Sequence, residues 1–349
     1  MMDIKSLVRP HLLTLKPYRS ARDEYWLSKG IFLDANENPY GSITGEAGHN
    51  RYPDPNQRQL KAKISQENMI PEESIFLGNG SDEAIDLLIR AFCEPTKDHI
   101  LIFPPTYGMY QVSGDIHNVE VDRVLLNNSF QLDMKRVLSA IQRQPKIIFL
   151  CSPNNPTGNL FSKTDIYLIL KSTRGLVVID EAYIDFSEDQ SWIEALNDYP
   201  NLVLLRTFSK SWGMASLRLG KCFANPEIIT IINKIKPPYN IPGPVQALAY
   251  KALSNKKQKN GWVREINVQR EWLRSRLSGF SSVITVYESD CNFLLVKFEK
   301  SKMIFEKLIS NHIIVRDRGS QPLCADCLRI TIGTKQENER LLQVLESIK

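Results

Sequence analysis

The segment TFSKSWGMASLRLG (207–220) places Lys210 among Ser209, Ser211, Gly213, Ala215 and Ser216, with Arg218 eight residues further on. A surface lysine needs no such small neighbours. A lysine that must carry a bulky, flat, anionic group does. Four other polar groups follow apolar runs in the same way. Gly80-Ser81-Asp82 comes after IFLGN, and Pro104-Pro105-Thr106-Tyr107 after HILIF. Ser152-Pro153-Asn154-Asn155-Pro156-Thr157-Gly158 comes after KIIFLC, and Asp180-Glu181-Ala182-Tyr183 after LVVI. Each alone is ordinary: Ser81 suits a helix N-cap, NNPTG a turn, Asp180 a cap, and Arg218 a solvated charge. Together they form a set. An amine, an acid, amide and phenol donors, a helix N-terminus and an arginine are what carbonyl chemistry on an anchored anion requires.

The elements that must position them alternate. Apolar runs at 75–79, 99–103, 119–124, 146–151, 176–180, 202–206 and 220–224 read as strands. Helical patterns lie between several of them, at 81–93, from about Thr106, over DMKRVLSAIQ and at 162–171. Runs this rich in Ile, Val, Leu and Phe predict a mainly parallel sheet covered on both faces. Ligands of such sheets sit beyond the carboxyl ends of the strands, where the set lies. After KPPYNIPGP (236–244) the pattern changes to two helices, the second over 257–277. Strands near 283–287 and 292–298, a helix at 301–310, and strands near 313–316 and 327–332 follow. Thr334-x-x-Glu337 opens a last helix with capping-box spacing. The fold class is α/β with a smaller α+β unit. The expected domains are an N-terminal segment, 1–40, that covers the cleft and joins the small domain, a large domain, 41–240, and a small domain, 241–349.

The chain has 349 residues and a net charge of +5. Its basic residues are scattered, which argues against nucleic acid and suits small anionic substrates. The one basic run, Lys256-Lys257-Gln258-Lys259, reads as a solvated loop or helix start. No apolar stretch approaches the ~20 residues of a membrane span, and the N-terminus lacks a signal-peptide core. A cytoplasmic location is expected. Of the six cysteines, Cys324 and Cys327 have C-x-x-C spacing, but there is no second pair and no His at zinc spacing; no metal is expected.

Pyridoxal 5′-phosphate answers to this set of groups. Lys210 supplies an amine for a Schiff base, and Asp180 an acid to keep the pyridine nitrogen protonated. Asn155 and Tyr183 donate to the phenolate. The amides of Gly80, Ser81 and Asp82, at a helix N-terminus, meet the phosphate, joined by Ser209 and Arg218. Tyr107 stacks on the ring face away from the lysine.

Over nearly its whole length the chain resembles the fold-type I pyridoxal-phosphate aminotransferases, and within them the histidinol-phosphate branch. LTLKPYRSAR, LDANENP, RYPDP, GNGSDEAIDLLIRAFCEP, FPPTYGMY, CSPNNPTG, IDEAYIDF, TFSKSWGMASLRLG, IIVRDRG and CLRITIGT carry the resemblance. It implies a homodimer in which Tyr52 reaches the partner subunit's cofactor phosphate. It implies that Arg329 grips the acidic end of the substrate, that Tyr18 and Arg316 line the substrate phosphate site, and that Asn36 lies in the segment over the cleft. The implied reaction exchanges an amino group between L-histidinol phosphate and 2-oxoglutarate, with Lys210 moving the proton. Aromatic amino-acid transamination, threonine-phosphate decarboxylation and a non-catalytic regulator that binds the same cofactor are the alternatives. One residue departs from the pattern: Ser216 stands where glycine is usual. If that position needs positive φ, serine is strained there.

Overall fold

On the fifth strand, Leu176 and Val178 enter one apolar cluster while Val177 and Ile179 enter another. Neither face is left for water, which is why these strands read as continuous apolar runs. The computed structural model describes residues 3–24, 30–46, 48–188 and 191–347. Seven strands form the large sheet: β1 (Ile75–Asn79), β2 (His99–Ile102), β3 (Glu120–Arg123), β4 (Ile147–Cys151), β5 (Leu176–Asp180), β6 (Leu202–Thr207) and β7 (Leu219–Ala224). Their order is β1-β7-β6-β5-β4-β2-β3. β7 is antiparallel to both β6 and β1, and the other pairs are parallel. β1 therefore runs the same way as β2 to β6, and all their carboxyl ends lie on one edge. Because β7 is reversed, its first residue lies on that edge as well.

The helices are α1 (Pro10–Thr14), α2 (Ala21–Glu24), α3 (Arg58–Asn68), α4 (Gly80–Phe92), α5 (Met109–Ile116), α6 (Met134–Ile141), α7 (Lys163–Ser172), α8 (Pro226–Ile235), α9 (Gly243–Leu253), α10 (Lys256–Leu277), α11 (Ser301–Ser310) and α12 (Lys335–Glu346). α5 starts after the Pro-Pro-Thr-Tyr-Gly turn, later than its apolar pattern suggests. α12 carries the expected capping box between Thr334 and Glu337. The second sheet, β8 (Val283–Val286), β9 (Phe293–Phe298), β10 (Arg316–Asp317) and β11 (Cys327–Thr331), has the order β10-β11-β9-β8. Its expected strand at 313–316 shrinks to the edge pair Arg316–Asp317, because Ile313 to Val315 leave the α11 turn without a strand partner. The basic run does open a helix, α10, but it is not wholly solvated: Lys259 is buried and pairs with Asp185 at 3.0 Å.

All six cysteines are buried free thiols. No described helix is long and apolar enough to cross a membrane. We propose the division into 1–40, 41–240 and 241–349 with two qualifications from the packing. Ile4, Val8 and Leu12 lie in a cluster with α4 and α8, on the large sheet. Ala249 and Leu253 of α9 share a cluster with Leu60 and Ile64 of α3. Both the first turns and α9 thus belong with the large unit.

Candidate active site

The common edge of the large sheet carries a cleft of about 140 Å³. Gly80, Ser81, Asp82, Tyr107, Asn155, Asp180, Tyr183, Ser209, Lys210 and Arg218 all line it. These are the residues assigned to the cofactor from sequence, apart from Tyr52. Arg218 arrives because it immediately precedes the reversed strand β7.

The floor is shaped by two close backbone approaches. A methyl on Gly220 would stand 2.3 Å from the Gly80 carbonyl carbon and the Ser81 nitrogen. Gly80 has φ +73, and a Cβ there would meet the Arg218 guanidinium at 2.6 Å. The first turn of α4 can therefore lie directly against β7, with Arg218 beside it. Arg218 donates to Ser209 Oγ at 3.4 Å and pairs with Asp82 at 3.3 Å. The Tyr107 hydroxyl donates to the other Asp82 oxygen at 3.0 Å. The left-handed residue of this loop is Arg218 itself, φ 50; Ser216 sits exposed in a short 3-10 turn and is not among the positive-φ residues. The feared strain at Ser216 is absent because the backbone reversal is taken two residues later.

Asp180 ends β5 and is buried. Burial raises its carboxyl to about 6, against the opposing bonds from the Tyr110 hydroxyl at 2.8 Å and the Ala182 N–H at 3.0 Å. Tyr110 was missed from sequence. It is fully buried and stacked on Phe149 at 4.8 Å. Its signal was the Tyr107-x-x-Tyr110 spacing, one helical turn apart. The neighbouring Glu181 points the other way and pairs with Arg206 at 2.8 Å. Successive strand residues face opposite sides, so only one carboxylate of the pair reaches the cleft. NNPTG divides likewise. Asn154 is buried and holds the loop through Pro105 O at 2.8 Å and Thr157 Oγ1 at 2.7 Å. Asn155 faces the cleft.

Lys210 stands in the opening with its ammonium 5.4 Å from the Tyr183 ring centroid. Desolvation first, then the charge of Arg329, lowers its pKa, while Asp180 opposes the shift. The next residue, Ser211, hydrogen-bonds Asp185, the partner of Lys259, which ties the lysine loop to α10. Arg329 on β11 reaches across to donate to Asn155 Oδ1 at 2.5 Å. That contact leaves the Asn155 amide hydrogens facing away from Arg329 and free to donate. The Arg329 Nε is buried with no partner. Arg316 is its cross-strand neighbour.

Five assigned residues do not line this cleft within one chain: Arg329 meets it only through Asn155, Arg316 is exposed beside Arg329, and Tyr52, Asn36 and Tyr18 lie elsewhere. Tyr52 is half exposed and stacks on Tyr239 at 4.5 Å. With Asn36 it lines a separate hollow of about 650 Å³. Tyr18 is 76% exposed and lines a third. The motifs around them hold one another: Arg22 pairs with Asp34 at 2.7 Å and Glu37 at 2.8 Å, and Arg51 also pairs with Glu37 at 2.7 Å.

The groups present fit pyridoxal 5′-phosphate. Donors from a helix start, Ser209 and Arg218 meet where two glycines leave room, and a buried carboxyl faces the same space. Among the described residues no group of three or more His, Cys, Asp or Glu could hold a metal ion.

Comparison with known proteins places the chain. Residues 32–345 match the family model for aminotransferase class I and II. The chain is 51% identical over 344 residues to the histidinol-phosphate aminotransferase of Cytophaga hutchinsonii, with 99% of each covered. It is 48% identical over 349 residues to that of Christiangramia forsetii, covering 99% of this chain and 98% of the relative. The crystal structure of the histidinol-phosphate aminotransferase from Clostridium acetobutylicum superimposes with a TM-score of 0.80 at 26% identity, over 85% of this chain and 90% of that one. The fold is that of the fold-type I aminotransferases, whose cofactor is pyridoxal 5′-phosphate. The chain belongs to the aminotransferase class I and II family.

Proposed function

We propose that this protein transfers the amino group between L-histidinol phosphate and 2-oxoglutarate, giving imidazole-acetol phosphate and L-glutamate, a cytoplasmic step of L-histidine biosynthesis. The observation that carries the reading is one cleft with two walls. Lys210 and Asp180 line it from the large sheet, and from the small sheet Arg329, with a buried unpartnered Nε, reaches it through its bond to Asn155. The names of the similar proteins support it.

Pyridoxal 5′-phosphate, when bound, supplies an electron-accepting ring that makes the α-hydrogen of an attached amine acidic. The protein does the rest. The α4 N-terminus, Ser209 and Arg218 would hold its phosphate, and Tyr107 would pack against its ring. Asp180 would keep the ring nitrogen protonated. Asn155 and Tyr183 would donate to the ring oxygen. Lys210, with its lowered pKa, would take the proton from the substrate α-carbon and deliver it to the C4′ carbon on the far side of the bridging nitrogen, acting as base and then acid. Arg329 and Arg316 hold the anionic end of either substrate, since a guanidinium fork suits both phosphate and carboxylate.

A screen of purified protein tests this. Histidinol phosphate, histidine, phenylalanine, tyrosine and threonine phosphate are each offered with 2-oxoglutarate, and glutamate is measured. Histidinol phosphate should lead by kcat/KM. A lead for phenylalanine or tyrosine, or carbon dioxide release from threonine phosphate, would replace the reading.

We further infer a homodimer with shared sites, in which Tyr52 serves the partner subunit. Its half-exposed ring at a hollow outside its own cleft supports this. Mixing Tyr52→Ala with Lys210→Ala protein, each inactive alone, should restore activity through mixed dimers with one intact site. Confirmed subunit exchange without recovery rules the sharing out.

A further inference from the structure

The small sheet has two faces with different surroundings. Side chains alternate along a strand, and directly opposed residues of an antiparallel pair share a face. Leu294, Val296, Phe298, Leu328 and Ile330 pack with α10 to α12 in one cluster. Leu295 and Cys327 belong instead to the cluster of the large sheet. Arg329 opposes Leu295 on one side and Arg316 on the other, so both arginines share that second face. Arg318 lies two residues beyond Arg316, and its N–H donates to the Cys327 carbonyl at 2.9 Å, which continues the pairing. Its side chain therefore falls on the cleft face too.

Three guanidinium groups thus stand on one face. The Nε of Arg318, like that of Arg329, is buried with no hydrogen-bond partner. Asp317 lies between two of them but accepts from the Gly319 N–H at 2.8 Å. Buried cationic donors without partners are costly, and like charges on one face repel. Desolvation, then Arg329 and Arg316, depress the Arg318 pKa, with Tyr183 opposing. An anion of more than one charge would relieve all of this.

We propose that Arg318 is a third anion-reading residue, one that answers the second negative charge of the substrate phosphate. This rests on the function proposed above. A phosphate dianion offers three oxygens and two charges, and Arg329 already spends one N–H on Asn155, so a third guanidinium completes the set of donors around it. The distal carboxylate of 2-oxoglutarate carries one charge and two oxygens, so it calls on Arg318 less. The residue would favour phosphorylated amines over aromatic amino acids.

The test uses holoenzyme, wild type and Arg318→Gln, with Arg318→Lys as the charge-keeping control. The two half-reactions are followed separately by cofactor absorbance. KM for histidinol phosphate should rise about tenfold or more in Arg318→Gln, and that for 2-oxoglutarate less than about threefold. In the wild type, KM should fall as pH rises through the second phosphate pKa near ~6. That dependence should flatten in Arg318→Gln and return in part in Arg318→Lys. An equal rise for both substrates, or none, overturns the proposal. If Arg318→Gln fails to fold, the same KM ratio in the charge-removing variant Arg318→Met decides. Inorganic phosphate as a competitive inhibitor separates this claim from the substrate assignment. Its inhibition constant should rise in Arg318→Gln even if another amine proves to be the best donor; an unchanged constant overturns the role of Arg318.

Discussion

The wall of the cleft built on the large sheet is satisfied by its own bonds. Asp180 accepts from Tyr110 and the Ala182 N–H, Arg218 is paired with Asp82 and Ser209, and Tyr107 closes on Asp82. The wall built on the small sheet is not. Arg329 has Asn155 Oδ1 but a bare Nε, and Arg318 has a bare Nε as well. The first wall keeps its shape before any ligand arrives, which is what electrostatic preorganisation requires where charge develops. On the function proposed above, the second would hold charge in reserve for a substrate that enters and leaves each half-cycle. Damage to the first wall should appear in turnover and cofactor retention, and damage to the second in KM.

Lys210→Ala is the severest test of the first wall. Transamination should vanish together with the absorbance of the lysine-linked cofactor. Borohydride trapping of cofactor on another lysine would remove Lys210 from its role. Asp180→Ala should follow, lowering kcat about 10²–10³-fold with the cofactor still bound; near-normal turnover would take Asp180 out of the site. Arg329→Lys keeps the charge but loses the fork. KM should rise about tenfold for both substrates while the melting temperature holds, and a kcat loss without a KM change would contradict the contrast between the walls.

Tyr110→Phe should act through pH. Burial holds the Asp180 carboxyl near 6, above the ordinary carboxylate range, so the folded apo-protein binds this proton more tightly than the unfolded chain does. The group's contribution to apo stability is therefore full below about pH 4 and is lost as pH rises through about 6. Cofactor affinity should go the other way, growing through about pH 6 as the carboxylate forms opposite the protonated ring nitrogen. Without the Tyr110 hydroxyl the carboxylate loses a donor, and both transitions should move upward. Titration of apo-protein with cofactor across pH 5 to 8 would show it, and superimposable curves would mean that Tyr110 only packs. Ser216→Gly should do least, within about 0.5 kcal/mol in stability, because the residue is exposed and its φ is not positive. A large gain in thermal stability would show that serine does carry strain.

Local pattern determined much of this molecule. The apolar runs named the strands of the large sheet to within a residue or two, and Thr334-x-x-Glu337 marked the start of α12, because period and capping depend on near neighbours. The strand-end set was legible for the same reason: a parallel sheet sends every carboxyl end to one edge. Tertiary structure decided what depends on distant residues. The reversed direction of β7 puts Arg218 on that edge, and its pairing with β1 and β6 joins segments far apart in the chain. Tyr110 reads as a core tyrosine until Asp180, 70 residues away, is placed beside it. Lys259 reads as a solvated charge until Asp185 meets it. Arg318 gains its place only through the pairing of β10 with β11, which sets the face of every residue on them. A buried charge takes its meaning from its partner, or from the lack of one, and the order of residues along the chain does not contain that.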